Sequence, residues 1–375
     1  MFFCGLLALL AGCTTSSNEP PPDWSATNQV VEAAVPKSMK PVPAVVNTNV
    51  VAVVNTNRPP VMATNALAIT LATNTVKPRI EPPIYTWTSL RRWAAERKLN
   101  PPRLLTKSPL VTYSVNSDKG VMVLAIGSRE ATWNGVELHL GYAPEIIDGE
   151  IYLHGLDLQK SLEPFLFAPR ESYGTNRVIV IDPGHGGINA GTISVLDHRL
   201  EKDLTLDWAR RLQPLLEQEG WRVFLTRTND TDIPLSNRVA IAESRRADLF
   251  ISLHFNSLAP DTKPVGLATF CLTPTGMPSN VTRGYPDILF QNFPNNGYDT
   301  QNVQLAEQLQ RSLLRVTGME DRGVNRARFM GILRGQHRPS VLIEAGFLSN
   351  PREAKRIEDP AFRQKLAEAV ATALK

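Results

Sequence analysis

The chain has 375 residues, of which 42% are hydrophobic and 20% are charged, so it has room for two domains and a sizeable core. Its formal net charge is only +4, and it contains no dense block of lysine and arginine, which argues against nucleic-acid binding. Composition therefore decides little about function, and the motifs carry more information.

The N-terminus is a short apolar run, residues 2–11, which is too short to cross a membrane as a mature helix. It ends in Leu-Ala-Gly-Cys at positions 10–13, which resembles the processing box of bacterial lipoproteins. The resemblance implies that residues 1–12 are a signal peptide and that the thiol of Cys13 carries lipid. The alternative is a secretory signal whose cysteine is accidental.

Residues 13–84 are rich in Pro, Thr, Asn and Val, and the triplet Asn-Thr-Asn recurs at 47–49 and 55–57. The segment has almost no large aromatic residue and no sustained helical or alternating pattern. It cannot bury enough surface to offset its ordering entropy, so we predict a disordered tether. An unstructured segment without a spacer role is the alternative.

Residues 85–172 are predicted to form a small α+β module. A short amphipathic helix begins near Leu90, strands are expected at 111–115, 121–126, 135–140 and 151–153, and a second helix at 156–167. The segment from Trp133 to Leu153 resembles the small N-terminal domain of copper amine oxidases, which implies an accessory binding or docking module. Two histidines of this module, His139 and His154, are interpreted as packing or surface residues.

From residue 177 to residue 375, apolar strand-like runs alternate with helical patterns. This alternation predicts an α/β domain with a mostly parallel sheet flanked by helices. An irregular insertion, residues 276–300, interrupts it, and Pro278, Pro286 and Pro294 argue against a helix there. Cys271 lies in a strand-like run and is predicted to be a buried apolar residue rather than a nucleophile.

Four side chains of this domain point to metal chemistry. His185 and His254 follow apolar strands, Glu344 closes another, and Glu201 opens a helix. Open α/β sheets place their chemistry at the carboxyl ends of strands, so the four could meet in one crevice. Two histidines and a carboxylate with a second carboxylate beside them suggest catalytic zinc, Zn2+. A glycine-flanked histidine could instead cap a turn, and no Lys-Ser/Thr follows it as a phosphate-binding loop would require.

Five separated sequence motifs of this domain together resemble those of a known enzyme family. They are Asp182-Pro-Gly-His-Gly-Gly187, Glu201-Lys-Asp-Leu-Thr-Leu, Leu225-Thr-Arg-Thr228, Ala247-Asp-Leu-Phe-Ile-Ser-Leu-His-Phe-Asn-Ser257 and Val341-Leu-Ile-Glu-Ala-Gly-Phe-Leu-Ser-Asn350. In order and spacing they resemble the zinc-dependent N-acetylmuramoyl-L-alanine amidases. The resemblance implies that His185, Glu201 and His254 are the metal ligands, and that Glu344 is the catalytic general acid and base for a zinc-activated water.

The same resemblance implies cleavage of the amide between the lactyl group and L-alanine in peptidoglycan. Together with the lipoprotein processing box at Cys13, this makes the chain an expected lipoprotein on the periplasmic face of the outer membrane, with peptidoglycan as its partner. The sequence leaves open whether an activator protein is also required. One alternative is a zinc peptidase that cuts the stem peptides, and another is a non-catalytic wall-binding lipoprotein.

Several further residues belong to these motifs. Asp182 is expected either to orient a ligand imidazole or to form a turn, and Asn256 either to position substrate or to form a turn. Arg227, Arg238 and Asp232 are expected to brace the fold. Asn189 stands where many members of the resembled family carry Asp. His198 and His337 lie in loop-like surroundings and are placed outside the predicted metal shell.

Overall fold

The computed structural model describes residues 31–32, 86–170, 173–174, 176–284 and 286–375. The predicted signal peptide, Cys13 and nearly all of the predicted tether lie outside the described residues. The exception is the short strand β1, Val31–Glu32, whose backbone pairs antiparallel with Val281–Thr282. Within these ranges we find no helix with the length and apolar character needed to span a bilayer.

The N-terminal module begins with a capped helix. The side chain of Ser89 accepts a hydrogen bond from the backbone N–H of Arg92 at 3.3 Å, and the helix buries Leu90, Trp93 and Ala94. The elements of the module are β2 (Trp87–Ser89), α1 (Leu90–Glu96), β3 (Arg103–Thr106), β4 (Thr112–Ser117), β5 (Gly120–Ala125), β6 (Glu130–Trp133), β7 (Val136–His139), β8 (Glu145–Ile147), β9 (Glu150–His154), α2 (Gly155–Asp157), a π-helical turn (Leu158–Leu162) and α3 (Glu163–Leu166).

The C-terminal part alternates strands and helices as predicted. Its elements are β10 (Val178–Pro183), α4 (Glu201–Gln218), β11 (Arg222–Leu225), α5 (Leu235–Ser244), β12 (Leu249–Asn256), β13 (Leu267–Cys271), β14 (Val281–Thr282), a 3-10 turn (Pro294–Tyr298), α6 (Asp299–Thr317), β15 (Asp321–Arg326), α7 (Gly331–Arg334), β16 (Ser340–Phe347), α8 (Pro351–Glu358) and α9 (Pro360–Ala373). Cys271 is buried, and burial raises the pKa of its thiol to about 11, as expected of an unreactive cysteine.

The main sheet is mixed, which corrects the prediction of a mostly parallel sheet. Its strand order is β11-β10-β12-β16-β13-β15-β7-β6-β5-β4-β3. The strands β11, β10, β12 and β16 are parallel, but β13 runs antiparallel to β16, and the strands from β7 to β3 are all antiparallel. Parallel neighbours need a long crossover, usually a helix. In the predicted α/β domain, β13 follows β12 without an intervening helix and enters the sheet antiparallel to β16. In the N-terminal module, β3 to β7 are joined by short turns and loops.

Alternate residues of the central strands pack on opposite faces of the sheet. Ile251 and Ile343 belong to the core under α4, α6 and α9, whereas Phe250 and Leu342 belong to a second core beside α5 and α7. Because strand side chains alternate with period two, His254 and Glu344 project on the side of this second core. The larger core therefore lies under α4, α6 and α9, and His254 and Glu344 lie on the opposite face of the sheet.

The N-terminal module continues the sheet of the C-terminal part. Leu138 of β7 pairs in parallel with Val324 of β15, and the backbone N–H of Glu137 donates to Asp321 Oδ2 at 3.0 Å. Leu140, next to this junction, is only 1% exposed and lies in the same core cluster as Val324. The two parts therefore share a sheet and a hydrophobic core.

The shared core predicts cooperative unfolding. Leu140→Ala leaves a cavity beside the junction, so we expect it to lower the free energy of unfolding of the whole chain by about 2–5 kcal/mol in one calorimetric transition. Leu104→Ala is the control, because Leu104 is 43% exposed and its truncation leaves no cavity. Two transitions, of which only one shifts in Leu140→Ala, would contradict the shared core.

Candidate metal and catalytic site

The structure brings the three predicted ligands together. His185 follows β10, Glu201 is the first residue of α4, and His254 lies near the end of β12. One ligand atom from each of the three lies within 4.8 Å of the others. Glu344 joins them from the neighbouring strand β16, where it is the register partner of His254. These four side chains therefore occupy one crevice at the carboxyl ends of parallel strands.

Close backbone approach explains the glycines around His185. A Cβ atom on Gly184 would lie 2.2 Å from His254 Cε1, and one on Gly191 would lie 2.6 Å from Glu201 Oε2. His185 itself has a left-handed φ of 62°, which an L-residue adopts only where surrounding contacts hold it. The motif is thus a tight turn that places the imidazole and leaves room for the other ligands.

Glu201 is a fully buried carboxylate with contacts on both oxygens. Its Oε2 lies 3.0 Å from His185 Nε2 and accepts the backbone N–H of Thr192 at 2.9 Å. Its Oε1 lies 3.0 Å from His254 Nδ1 and accepts the N–H of Phe255 at 3.1 Å. Burial opposes ionisation of Glu201, but the two imidazoles lower its pKa below the ordinary value. Glu201 is therefore the anionic centre of the cluster.

Asn189 fixes the orientation of the His185 ring. Its Oδ1 lies 2.8 Å from His185 Nδ1 and also accepts the backbone N–H of Gly191 at 3.2 Å. The side-chain oxygen of Asn189 can only accept hydrogen bonds, so the His185 nitrogen that faces it must be the donor. His185 Nδ1 therefore carries the proton, and Nε2 keeps its lone pair. His185 Nε2 is buried without a hydrogen-bond partner, although it faces Glu201. An orphaned imidazole nitrogen of this kind fits a metal ligand with its other nitrogen held by a neighbour.

The two imidazoles differ in their electrostatic surroundings. Burial alone would lower the pKa of His185, but the charge of the nearby Glu201 carboxylate and the contact with Asn189 raise it. Burial dominates at His254 and lowers its pKa. The rings lie 4.8 Å apart in an edge-to-face arrangement. The cluster thus combines two nearby imidazoles with one carboxylate, which are donor types that zinc accepts.

Glu344 is a buried carboxyl group beside the cluster. It is only 7% exposed, and its Oε2 has no hydrogen-bond partner. Burial and the charge of Glu201 raise its pKa well above the ordinary value, and the charge of Arg283 acts in the opposite direction. A carboxyl group whose proton affinity is raised beside a candidate metal site has the property of a general acid or base.

Asp182 does not touch either imidazole. Its Oδ1 accepts hydrogen bonds from Thr226 Oγ1 at 2.6 Å and Arg238 Nη1 at 2.8 Å, and its Oδ2 accepts one from Ser252 Oγ at 2.7 Å. Burial opposes ionisation, but Arg238 and these hydrogen bonds lower the pKa of Asp182. Its role is therefore to hold Arg238. The sequence had suggested two other roles, orientation of a ligand imidazole or formation of a turn.

Two buried arginines hold the backbone of the turn at residues 183–185. Arg227 donates to the carbonyl oxygens of Pro183 at 3.0 Å and Gly184 at 2.8 Å. Arg238 donates to those of Pro183 at 2.9 Å and His185 at 2.7 Å. The predicted bracing role of both arginines is confirmed. Burial and the neighbouring Arg238 lower the pKa of Arg227 to about 10, which leaves it charged near neutrality.

Other predicted residues lie apart from the cluster. Asn256 Oδ1 accepts the N–H of Ser257 at 2.7 Å, which is a turn interaction. Neither His198 nor His337 belongs to the metal-competent group found among the described residues. The sequence did not predict that Asn189 orients the His185 ring. Its position, four residues after His185, is a local signal for that contact.

Comparison with known proteins identifies a family for residues 179–375. Residues 179–375, more than half of the chain, match the family model described as N-acetylmuramoyl-L-alanine amidase. The chain is 32% identical over 243 residues to the amidase AmiC of Escherichia coli, covering 58% of each protein. It is 30% identical over 285 residues to AmiC of Neisseria meningitidis, covering 70% of this chain and 63% of that protein.

Among solved structures, similarity extends to an N-acetylmuramoyl-L-alanine amidase from Clostridium difficile, with 29% identity and a TM-score of 0.45. The match covers 54% of this chain and 96% of that one. Of the E. coli relative, AmiC, the matched region spans only 58% of the length. On the strength of the family match over residues 179–375, the chain belongs to the N-acetylmuramoyl-L-alanine amidase family.

Proposed function

We propose that this chain is a zinc-dependent N-acetylmuramoyl-L-alanine amidase that hydrolyses the amide between the lactyl group and L-alanine of peptidoglycan. The observation that carries the proposal is the group formed by His185, Glu201 and His254, with Glu344 in register on the adjacent strand. The family membership gives the bond and the substrate class.

The candidate metal is zinc because the donor set matches its preferences. Two imidazoles and one carboxylate are a known catalytic set that leaves a coordination position open. His185 would bind through Nε2, the buried nitrogen without a hydrogen-bond partner, and Asn189 holds the ring in that tautomer. When bound, zinc supplies Lewis acidity that polarises an amide carbonyl and eases the ionisation of water.

Glu344 is the proposed general acid and base. Its raised proton affinity lets the carboxylate take a proton from the attacking water and then return it to the departing amine of L-alanine. Glu344 is the register partner of His254 but does not belong to the metal-competent group found among the described residues, which supports a role in proton transfer rather than in metal binding. Proton transfer and metal binding are therefore carried by different side chains.

Two rival functions use the same residues differently. A zinc peptidase that cuts the stem peptide would need the same metal chemistry and a different pocket. A non-catalytic wall-binding protein would need neither an orphaned imidazole nitrogen nor a buried unpaired carboxyl, and both are present at His185 and Glu344. The family favours the amidase over the peptidase.

We also propose that the protein is a lipoprotein anchored through Cys13 to the periplasmic face of the outer membrane. The support is the Leu-Ala-Gly-Cys sequence at positions 10–13 and the tether-like composition that follows it. An activator protein of unspecified identity remains part of this proposal. We expect the full chain to be labelled by a fatty acid and Cys13→Ser to lose the label. A label that persists in Cys13→Ser would argue against an anchor at Cys13.

Variants of the candidate ligands are expected to change zinc content in a graded way. His185→Ala and His254→Ala each remove one ligand. We therefore expect each purified variant to contain much less zinc than the wild type, as measured by atomic absorption. Asn189→Ala removes only the hydrogen bond to the ring, and we expect zinc affinity to fall about 10- to 100-fold. His198→Ala is the matched control and should retain zinc fully. Normal zinc content in His185→Ala would exclude the proposed metal centre.

Product analysis tests the bond that is cut. Incubation of purified peptidoglycan with the full chain should release intact stem peptides whose free amino terminus is L-alanine. A chelator should stop the release, and added zinc should restore it. Shortened stem peptides would instead identify the peptidase, and the absence of release from a zinc-loaded chain would favour the non-catalytic protein.

A further inference from the structure

The residues after His185 form a tight turn that leads directly to Asn189. The backbone N–H of Gly186 donates to Asn189 O at 2.9 Å, and the N–H of Asn189 donates to Gly186 O at 3.1 Å. Between them, Gly187 has a left-handed φ of 57°, which favours glycine. The turn therefore determines where the side chain of Asn189 lies relative to the His185 ring.

A lysine and an aspartate hold both polar groups of the Gly187 backbone. The N–H of Gly187 donates to Asp230 Oδ1 at 2.7 Å, and Gly187 O accepts a hydrogen bond from Lys202 Nζ at 2.8 Å. Lys202 Nζ also donates to Asp230 Oδ2 at 2.6 Å, which closes a ring of three contacts. These two side chains and the backbone of Gly187 form the Lys202–Asp230 bracket.

The side chain of Lys202 is largely buried, which is unusual for lysine. It is only 11% exposed, whereas the side chain of Asp230 is 50% exposed. A buried ammonium group needs hydrogen-bond acceptors and a counter-charge, which Gly187 O and Asp230 supply. Lys202 is therefore committed to the turn and does not extend freely into solvent.

The segment that carries Asp230 also packs closely on the turn. A Cβ atom on Gly187 would lie 2.6 Å from Asp232 N, and one on Gly186 would clash with Thr231 O. Only glycine therefore permits this approach of the two backbones. At this separation, the bracket can set the position of the turn.

Backbone bonds that do not depend on the bracket hold the start of α4. The N–H of Glu201 donates to Thr192 O at 2.9 Å, and the N–H of Lys202 donates to Ala190 O at 3.2 Å. Substitution of the Lys202 side chain leaves both bonds in place. Its loss should therefore act on the turn rather than on Glu201.

We propose that Lys202 and Asp230 are positioning residues for the candidate metal ligand His185. The bracket fixes the peptide of Gly187, and the turn then places Asn189. Asn189 Oδ1 lies 2.8 Å from His185 Nδ1 and leaves Nε2, which has no hydrogen-bond partner, to bind a metal. The inference rests on the proposed zinc centre and adds two residues that are not among its ligands.

Zinc affinity tests the bracket directly, because it is measured without substrate. Lys202→Met keeps the length of the side chain and removes its charge and its donors. We expect this variant of the full chain to bind Zn2+ about tenfold more weakly than the wild type in competition with a chromophoric chelator. Lys202→Arg keeps a charged donor and should restore most of the affinity. The visible absorption spectrum of the Co2+-loaded protein should also shift in Lys202→Met, since it reports the geometry of the ligands.

A double variant tests whether Lys202 acts through Asn189. Asn189→Ala removes the contact with the ring, so Lys202→Met should have little further effect in that background. We expect the double variant to bind Zn2+ within about twofold of Asn189→Ala alone. Two effects that multiply would show independent action and overturn the proposed path.

Lys160→Met is the matched control. Lys160 Nζ lies 3.1 Å from Asp299 Oδ2 in another lysine–aspartate pair, and the side chain of Asp299 is only 5% exposed. The variant should lower the melting temperature and keep wild-type affinity for Zn2+. An equal loss of affinity in Lys160→Met would attribute the effect to stability alone and overturn the inference.

The outcomes separate this inference from the proposed function. Asp230→Ala removes the other half of the bracket at a half-exposed position, so it decides the inference if Lys202→Met does not fold. Unchanged Zn2+ affinity in either folded variant would overturn the bracket and leave the zinc centre intact. Failure of the wild-type chain to bind Zn2+ would overturn both. Weaker binding in both variants, with rescue by Lys202→Arg, supports the proposal.

Discussion

The site depends on a buried carboxylate, Glu201, held between two imidazoles. An ionised carboxylate in the interior is costly unless it is paired and hydrogen-bonded. Here two backbone N–H groups satisfy its oxygens, and His185 and His254 lie 3.0 Å from them. Any movement of the turn at residues 183–185 would break this arrangement, so the position of that turn is the main structural requirement of the domain.

A second buried ion pair meets that requirement. Asp182 and Arg238 are both almost fully buried, and their contact aligns the guanidinium with the carbonyl oxygens of Pro183 and His185. Removing one partner from such a pair leaves an uncompensated buried charge, which is strongly destabilising. Asp182 and His185 lie in the same motif: the contact of Asp182 with Arg238 shapes the turn, and the contact of His185 with Glu201 forms part of the candidate metal centre.

Sequence reasoning succeeded where the signal is local and failed where the contact is distant. The strand tips at His185, His254 and Glu344 follow from apolar runs that close on these residues. The start of α4 at Glu201 follows from the helical spacing of Leu204, Trp208, Leu212 and Leu215. Strand β15 was missed because Asp321-Arg-Gly-Val-Asn-Arg326 has no apolar run; its polar side chains are satisfied by tertiary partners, such as Asn280. Strand direction was also missed, since alternation of elements does not specify how β13 enters the sheet.

The largest difference concerns the N-terminal module. Composition suggested an accessory unit, and that division of the chain remains a prediction, but the module's strands extend the C-terminal sheet and Arg129 donates to the backbone of Pro278 and Ser279 in the insertion. Contacts between residues more than a hundred positions apart leave no periodic signal in a single sequence. This is the physical reason why the contact between module and insertion could not be predicted.

The most direct measurement of the central claim is peptide release from purified peptidoglycan by Glu344→Gln, with zinc determined on the same sample. The substitution keeps the shape of the side chain and removes its ability to exchange a proton. If Glu344 is the general acid and base beside a zinc centre, zinc content stays at the wild-type level and the rate falls about 10²- to 10⁴-fold. Wild-type turnover in a zinc-loaded Glu344→Gln would contradict the account.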